Sequence, residues 1–155
     1  MEVKNELMEV KQDKTINPAV VVESGQKMAK LLQAVIAGKK KPVMINGEQY
    51  LEFEDWQLLA RFNNLSVKVD WTKPVMVKDE ILGYEAKALV ISKDGREVSS
   101  AESMCMRNEK SWSGKDLFAI RSMAQTRACA KALRNVLSWV VVLAGYKSGV
   151  SEEME

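Results

Sequence analysis

The cleanest alternation of apolar and polar positions along the chain is "SVKVDW", with Val67, Val69 and Trp71 on one side and Ser66, Lys68 and Asp70 on the other. A period of two is the signature of a half-buried strand. "PVMVK" follows as a second short strand, and "GYEAKALVIS" and "EVSSAESMCM", joined by the turn "KDGR", form a third and a fourth. On both sides of these strands the period becomes helical. Ser24 caps a helix running to Ala37, with Met28, Leu31, Leu32, Val35 and Ile36 at helical spacing and Gly38 as its stop. "PVMINGEQYLEF" reads as a hairpin about Asn46-Gly47, and a short helix from Glu54 to Asn64 carries Trp56, Leu59 and Ala60. After the polar loop "NEKSWSGKD", with Ser113 and Asp116 as alternative caps, a long helix starts near Leu117 and reaches Leu137 or beyond. The order predicts an α+β fold. A twisted antiparallel β-β-β sheet is packed by the long C-terminal helix, with an N-terminal helix and a small hairpin plus short helix beside it. Residues 1–22 read as a flexible or loosely helical arm and 148–155, ending in "SEEME", as an acidic tail.

Length and composition leave this picture unchanged: 155 residues, 46% hydrophobic and 28% charged, suit one globular domain. Charge changes it. The formal net charge is only +2, yet residues 25–47 carry five lysines and no acid. Residues 107–134 carry seven Lys or Arg against Glu109 and Asp116. Two basic zones in a nearly neutral chain are candidate surfaces for a polyanion, a solvated charged face being the alternative. The chain has no His, which excludes the usual zinc and His-based catalytic arrangements. Cys105 and Cys129 form no CxxC pair, the polar N-terminus resembles no secretory signal, and the run "WVVVLAG" is too short for a bilayer. A reducing, cytoplasmic setting is expected. No phosphate-loop pattern surrounds Gly25 or Gly145, so ATP hydrolysis is not expected; no cofactor or metal is expected either.

The second basic zone runs into "AIRSMAQTRACAKALRNVL", where Arg127, Lys131 and Arg134 fall at i, i+4 and i+7 within a narrow sector of one helix. Cys129, Leu133, Val136 and Val140, with Phe118 behind them, form the expected sheet-facing stripe. Ala124, Ala128 and Ala132 leave a flank where another backbone can approach closely. No acid lies between Leu117 and Gly149, so these cations have no partner on their own helix. Cations one turn apart also approach the repeat of phosphates along a strand.

"YEAKALVISKDGREVSSAESMCMR" leading into "AIRSMAQTRACAKALRNVL" resembles the annealing domain of the Rad-fifty-two family, with weaker likeness to the wider ERF and RecT phage annealing group. The family's helix carries a "T-x-x-x-(K/R)-A-L-R" run. Lys131, Ala132, Leu133 and Arg134 correspond to the end of that run, with Thr126 one residue further upstream than the run places it, and "MINGEQYLEFEDWQLLARFNN" resembles the family's hairpin and short helix. The likeness covers roughly residues 39–137 and makes 23–147 an annealing-like domain that binds single-stranded DNA. The resemblance implies ATP-independent binding and annealing of complementary strands in recombination and repair, by a homo-oligomeric ring or arc holding phosphates in a basic groove. The chain would then come from a microbe or a phage-infected cell. An exonuclease or a single-strand binding protein would be further partners. On this reading Lys131 and Arg134 are the matched DNA-binding positions. Arg127 departs from the family pattern and faces either DNA or a neighbouring subunit. Lys110 and Lys115, in the loop before the helix, Arg121, and Lys39, Lys40 and Lys41 before the hairpin complete the candidates. Trp112, between Lys110 and Lys115, is either a base-facing aromatic or a residue packed on the sheet.

Two other readings stand beside this one. Glu85-Ala86-Lys87 preceded by Asp70 or Asp79 fits a weak magnesium-dependent nuclease pattern, which any alternating surface strand can also supply. In an oligomeric scaffold that binds no DNA, the basic helix would instead meet the acidic tail or the 48–56 segment of a neighbour.

Overall fold

The computed structural model describes residues 16–154. Its architecture is the expected α+β one. Helix α1 (Pro18–Ala37) leads to the hairpin β1 (Val43–Ile45) and β2 (Glu48–Tyr50), then helix α2 (Phe53–Phe62). The meander β3 (Ser66–Val77), β4 (Glu80–Ile91) and β5 (Glu97–Met106) is followed by the long helix α3 (Leu117–Leu143) and a 3-10 turn, Ser151–Glu153. The three long strands form an antiparallel sheet in the order β3-β4-β5, and α3 lies along one face of it.

Local chemistry sets the element boundaries. The Asn46-Gly47 turn has φ of 52° and 78°, the two positive values that a tight hairpin requires. Helix α1 begins earlier than Ser24 because Asn17 Oδ1 accepts a bond from Ala19 N and Pro18 occupies the first helical position. Of the expected flexible or loosely helical arm, residues 18–22 are helical; residues 1–15 lie outside the described residues. "SVKVDW" and "PVMVK" are one strand. Pro74 sits in β3, which is an edge strand, the place in a sheet where proline is tolerated.

A bulge in that strand corrects its facing. Val67 pairs with Val90 and Val69 with Ala88, but the register then shifts so that Trp71 pairs with Lys87. Asp70 is the extra residue, and Trp71 changes sides. It lies on the sheet face away from α3, with Lys73 Nζ 4.3 Å from its ring centroid. On the other face Ala86, Ala88 and Val90 are fully buried under α3. Ala124, Ala128 and Ala132 are buried as well, so the close approach expected of the alanine flank is to the sheet. Ser99 Oγ donates to Ala132 O at 2.9 Å and the Gln125 amide to Thr72 Oγ1 at 2.9 Å.

The acidic tail packs back onto the domain. Past Gly145 the chain turns back, Lys147 bridges to Tyr50, and Ser151 is buried with its hydroxyl donating to Leu51 O at 2.8 Å. Glu152 Oε1 accepts from Phe53 N at 2.8 Å, and burial pushes its carboxyl above the usual range.

Gly83 is the one glycine on which strand packing depends. It pairs with both Val75 and Met106, and a Cβ there would stand 2.3 Å from Cys105 O and 2.8 Å from Met106 Cα. Those are backbone atoms of the neighbouring strand and cannot swing aside. Gly83→Ala is expected to destabilise the chain by about 1–3 kcal/mol in denaturant unfolding, the scale of overpacking.

Candidate nucleic-acid interface

The helix cations do not form one exposed row. Arg127 is 3% exposed, and all three of its guanidinium nitrogens are engaged. Nη2 and Nη1 meet the two carboxylate oxygens of Glu109 at 2.8 and 3.0 Å, Nη1 also donates to Met104 O at 2.9 Å, and Nε donates to Glu152 O at 2.6 Å. The fork-on-carboxylate arrangement is the strong, directional form of an ion pair. The hydrogen bond from Arg127 holds the Glu109 carboxyl below the usual carboxylate range, with the Met106 N–H at 2.5 Å adding to it against the opposing effect of burial. Arg127 is thus an internal cation, which corrects the expectation that it meets DNA or a neighbouring subunit. Its partner comes from the preceding loop, so the absence of acids on its own helix said nothing about its pairing.

Lys39 is corrected in the same way. Its Nζ lies 2.6 Å from Asp55 Oδ2, a carboxylate only 4% exposed that also accepts from Glu52 N at 2.9 Å at the start of α2. Lys131 Nζ donates to Glu102 O at 3.2 Å and lines a cleft of about 590 Å³ with Arg127 and the carboxylates of Glu85, Glu102, Glu109 and Glu153. Arg134 Nε donates to Ser148 O at 2.7 Å beside Val150, Glu153 and Met154. The returning C-terminal segment therefore runs along the cation line. The surroundings of Lys131 are more acidic than basic, which disfavours a phosphate there.

Cations without an ion pair among the described residues occur on several elements, and four of them lie in and just after the loop before α3. Lys110, Lys115 and Arg121 are exposed and bridge to no acid, and so is Arg107, which the sequence reading did not single out. Arg107 N donates to Leu82 O at 2.7 Å, which ties the start of the loop to the β3–β4 end of the sheet. The loop itself is a run of tight turns. Trp112 N and Ser113 N donate to Glu109 O at 3.0 and 2.9 Å, Lys115 N donates to Trp112 O at 3.2 Å, and Gly114 supplies a φ of 77°. Trp112 packs against the core with its Nε1 buried, which resolves its two readings in favour of packing. Glu109 is the hinge of these turns, and Arg127 clamps it. Residues 107–121 hold four cations and two acids. Because Arg127 neutralises Glu109 from outside that stretch, Asp116 is the only acid left to offset Arg107, Lys110, Lys115 and Arg121. Lys40 and Lys41 are exposed but belong to the other end of α3, where the hairpin meets Lys147.

Phe118 is not on a sheet-facing stripe: it is 72% exposed, the most exposed aromatic among the described residues. At one turn's spacing it shares a side of α3 with Arg121, and two turns on with Gln125, which touches β3. The first turn of α3 therefore carries its stripe past the sheet. The nuclease pattern gains no cluster. Glu85 is in register with Lys73 and lines the cleft beside Lys131, Asp70 is the bulged residue, and Asp79 sits in the β3–β4 turn at φ 65°. Among the described residues no three His, Cys, Asp or Glu side chains gather to hold a metal ion. Burial pushes the Cys129 thiol up to about 11, so it is no nucleophile at neutral pH.

No family model matches this chain, and neither does any curated protein. Among the described residues no helix is long and apolar enough to cross a membrane.

Proposed function

We propose that the chain binds single-stranded DNA, with strand phosphates on Arg107, Lys110, Lys115 and Arg121, and that it anneals complementary strands without ATP as a homo-oligomer. The observation that carries this reading is the set of exposed cations on the loop and the first turn of α3 that make no ion pair among the described residues. The loop is anchored by the ion pair of half-buried Glu109 with buried Arg127. Rigid, sequence-blind phosphate contacts are what an annealing protein needs, since they grip any strand and leave base edges free. The resemblance to the Rad-fifty-two family supports annealing over simple protection. Self-association is supported by the open edges of β3 and β5, and by Val20, Leu31 and Val35, which are exposed along one flank of α1.

The test is fluorescence anisotropy with two single-stranded oligonucleotides of unrelated sequence across a salt series, followed by strand annealing without nucleotide. Similar affinity for both is expected, with log K falling against log salt at a slope of roughly −2 to −4, from four cations at about 0.7 each and from neighbouring subunits. Salt-insensitive or absent binding, with the oligomer intact, would favour the scaffold. Magnesium-dependent cleavage lost in Glu85→Ala would favour the nuclease.

A further inference from the structure

We propose that Phe118 is a base-stacking position: one nucleobase of the bound strand lies on its ring while flanking phosphates meet Lys115 and Arg121. The inference rests on the single-strand reading above and adds a contact to bases, which that reading leaves free. Trp112 of the loop packs inward and Ile120, two residues beyond Phe118, is fully buried. Phe118 alone points out at 72% exposure, beside Leu117 at 37%. Leaving an aromatic ring in water forfeits the burial free energy that its neighbours gain. Its surroundings select the occupant. An apolar surface of a second copy would have to strip water from Lys115 and Arg121, three residues to either side, with no acid supplied in return. A single strand supplies both complements, a flat π face for the ring and phosphates for the cations. One stacking ring per protomer interrupts the strand at intervals and leaves the bases between for pairing, as annealing requires.

The experiment uses the full chain, an oligothymidylate, and an abasic deoxyribose-phosphate strand of equal length, with affinities read by anisotropy at one salt concentration. Wild type is expected to bind the base-bearing strand roughly ten-fold more tightly, the scale of one stacked base. Phe118→Ala should bring that ratio close to one while leaving affinity for the abasic strand and the sedimentation profile unchanged. Phe118→Trp should keep the ratio, with indole fluorescence quenched by the base-bearing strand only. A ratio that survives Phe118→Ala overturns the stacking role and leaves the phosphate interface standing. Loss of the oligomer in Phe118→Ala assigns the ring to a second copy and also overturns it. If wild type binds neither strand, the single-strand reading fails first.

Discussion

Arg127→Met is expected to lower stability by about 3–5 kcal/mol, the cost of breaking a buried ion pair by removing one partner. Met fills much of the same volume, so the loss comes from polarity rather than from a cavity. Glu109 would lose a two-pronged partner at 2.8 and 3.0 Å, and Met104 O and Glu152 O would each lose a donor. Because Glu109 keeps 28% of its side chain in water, the lower end of that range is expected, a fall in thermal midpoint of roughly 10 °C. The pH dependence gives the more specific signature. The Glu109 carboxyl is depressed in the folded chain, chiefly by the Arg127 hydrogen bond, so it contributes stability above the unfolded carboxylate range. That contribution disappears as acidification approaches its folded value. Wild type should therefore lose stability on acidification more steeply than Arg127→Met, and the two curves should converge in acid. A variant as stable as wild type, yet deficient in DNA binding, would put Arg127 back at the surface.

The pattern of apolar positions carried the architecture, because α1, the hairpin, α2, the meander and α3 are each specified by local periodicity and turn residues. What it missed depended on distance or on a single extra residue. Asn17-Pro18 is a strong helix start, but the three consecutive valines after it obscure the helical period. The bulge at Asp70 inverts Trp71, and strict alternation cannot show an insertion. Gly83 lies inside β4, where a glycine without a turn signals close backbone approach. For the site, the helical spacing of Arg127, Lys131 and Arg134 was correct, but spacing within a helix does not reveal what covers it. Glu109 and the returning segment 151–154 cover Arg127 through contacts 18 and 25 residues away in sequence. The exposure of Lys110, Lys115 and Arg121 follows from their place in and beside a polar loop, where Glu109 is taken by Arg127.

These corrections move the expected centre of binding from the middle of α3 to its first turn, and the move can be measured. Lys110→Ala, Lys115→Ala and Arg121→Ala combined should weaken single-stranded DNA binding on the order of 10²-fold at low salt. The salt slope should fall by about 2, since each strand phosphate contact contributes roughly 0.7. The loss should be the same for every sequence, because phosphates carry no sequence information. All three side chains are exposed and make no ion pair among the described residues, so unfolding free energy should stay within about 0.5 kcal/mol of wild type. Lys131→Ala with Arg134→Ala is the discriminating companion. Both residues already donate to backbone carbonyls, of Glu102 and Ser148, and Glu153 stands beside each. Their removal should therefore change affinity several-fold at most. If that double variant loses binding and the triple variant keeps it, DNA must displace the segment 151–154 to lie along the helix. The groove would then follow the cation line after all, with Glu153 acting as a competitor for its phosphates.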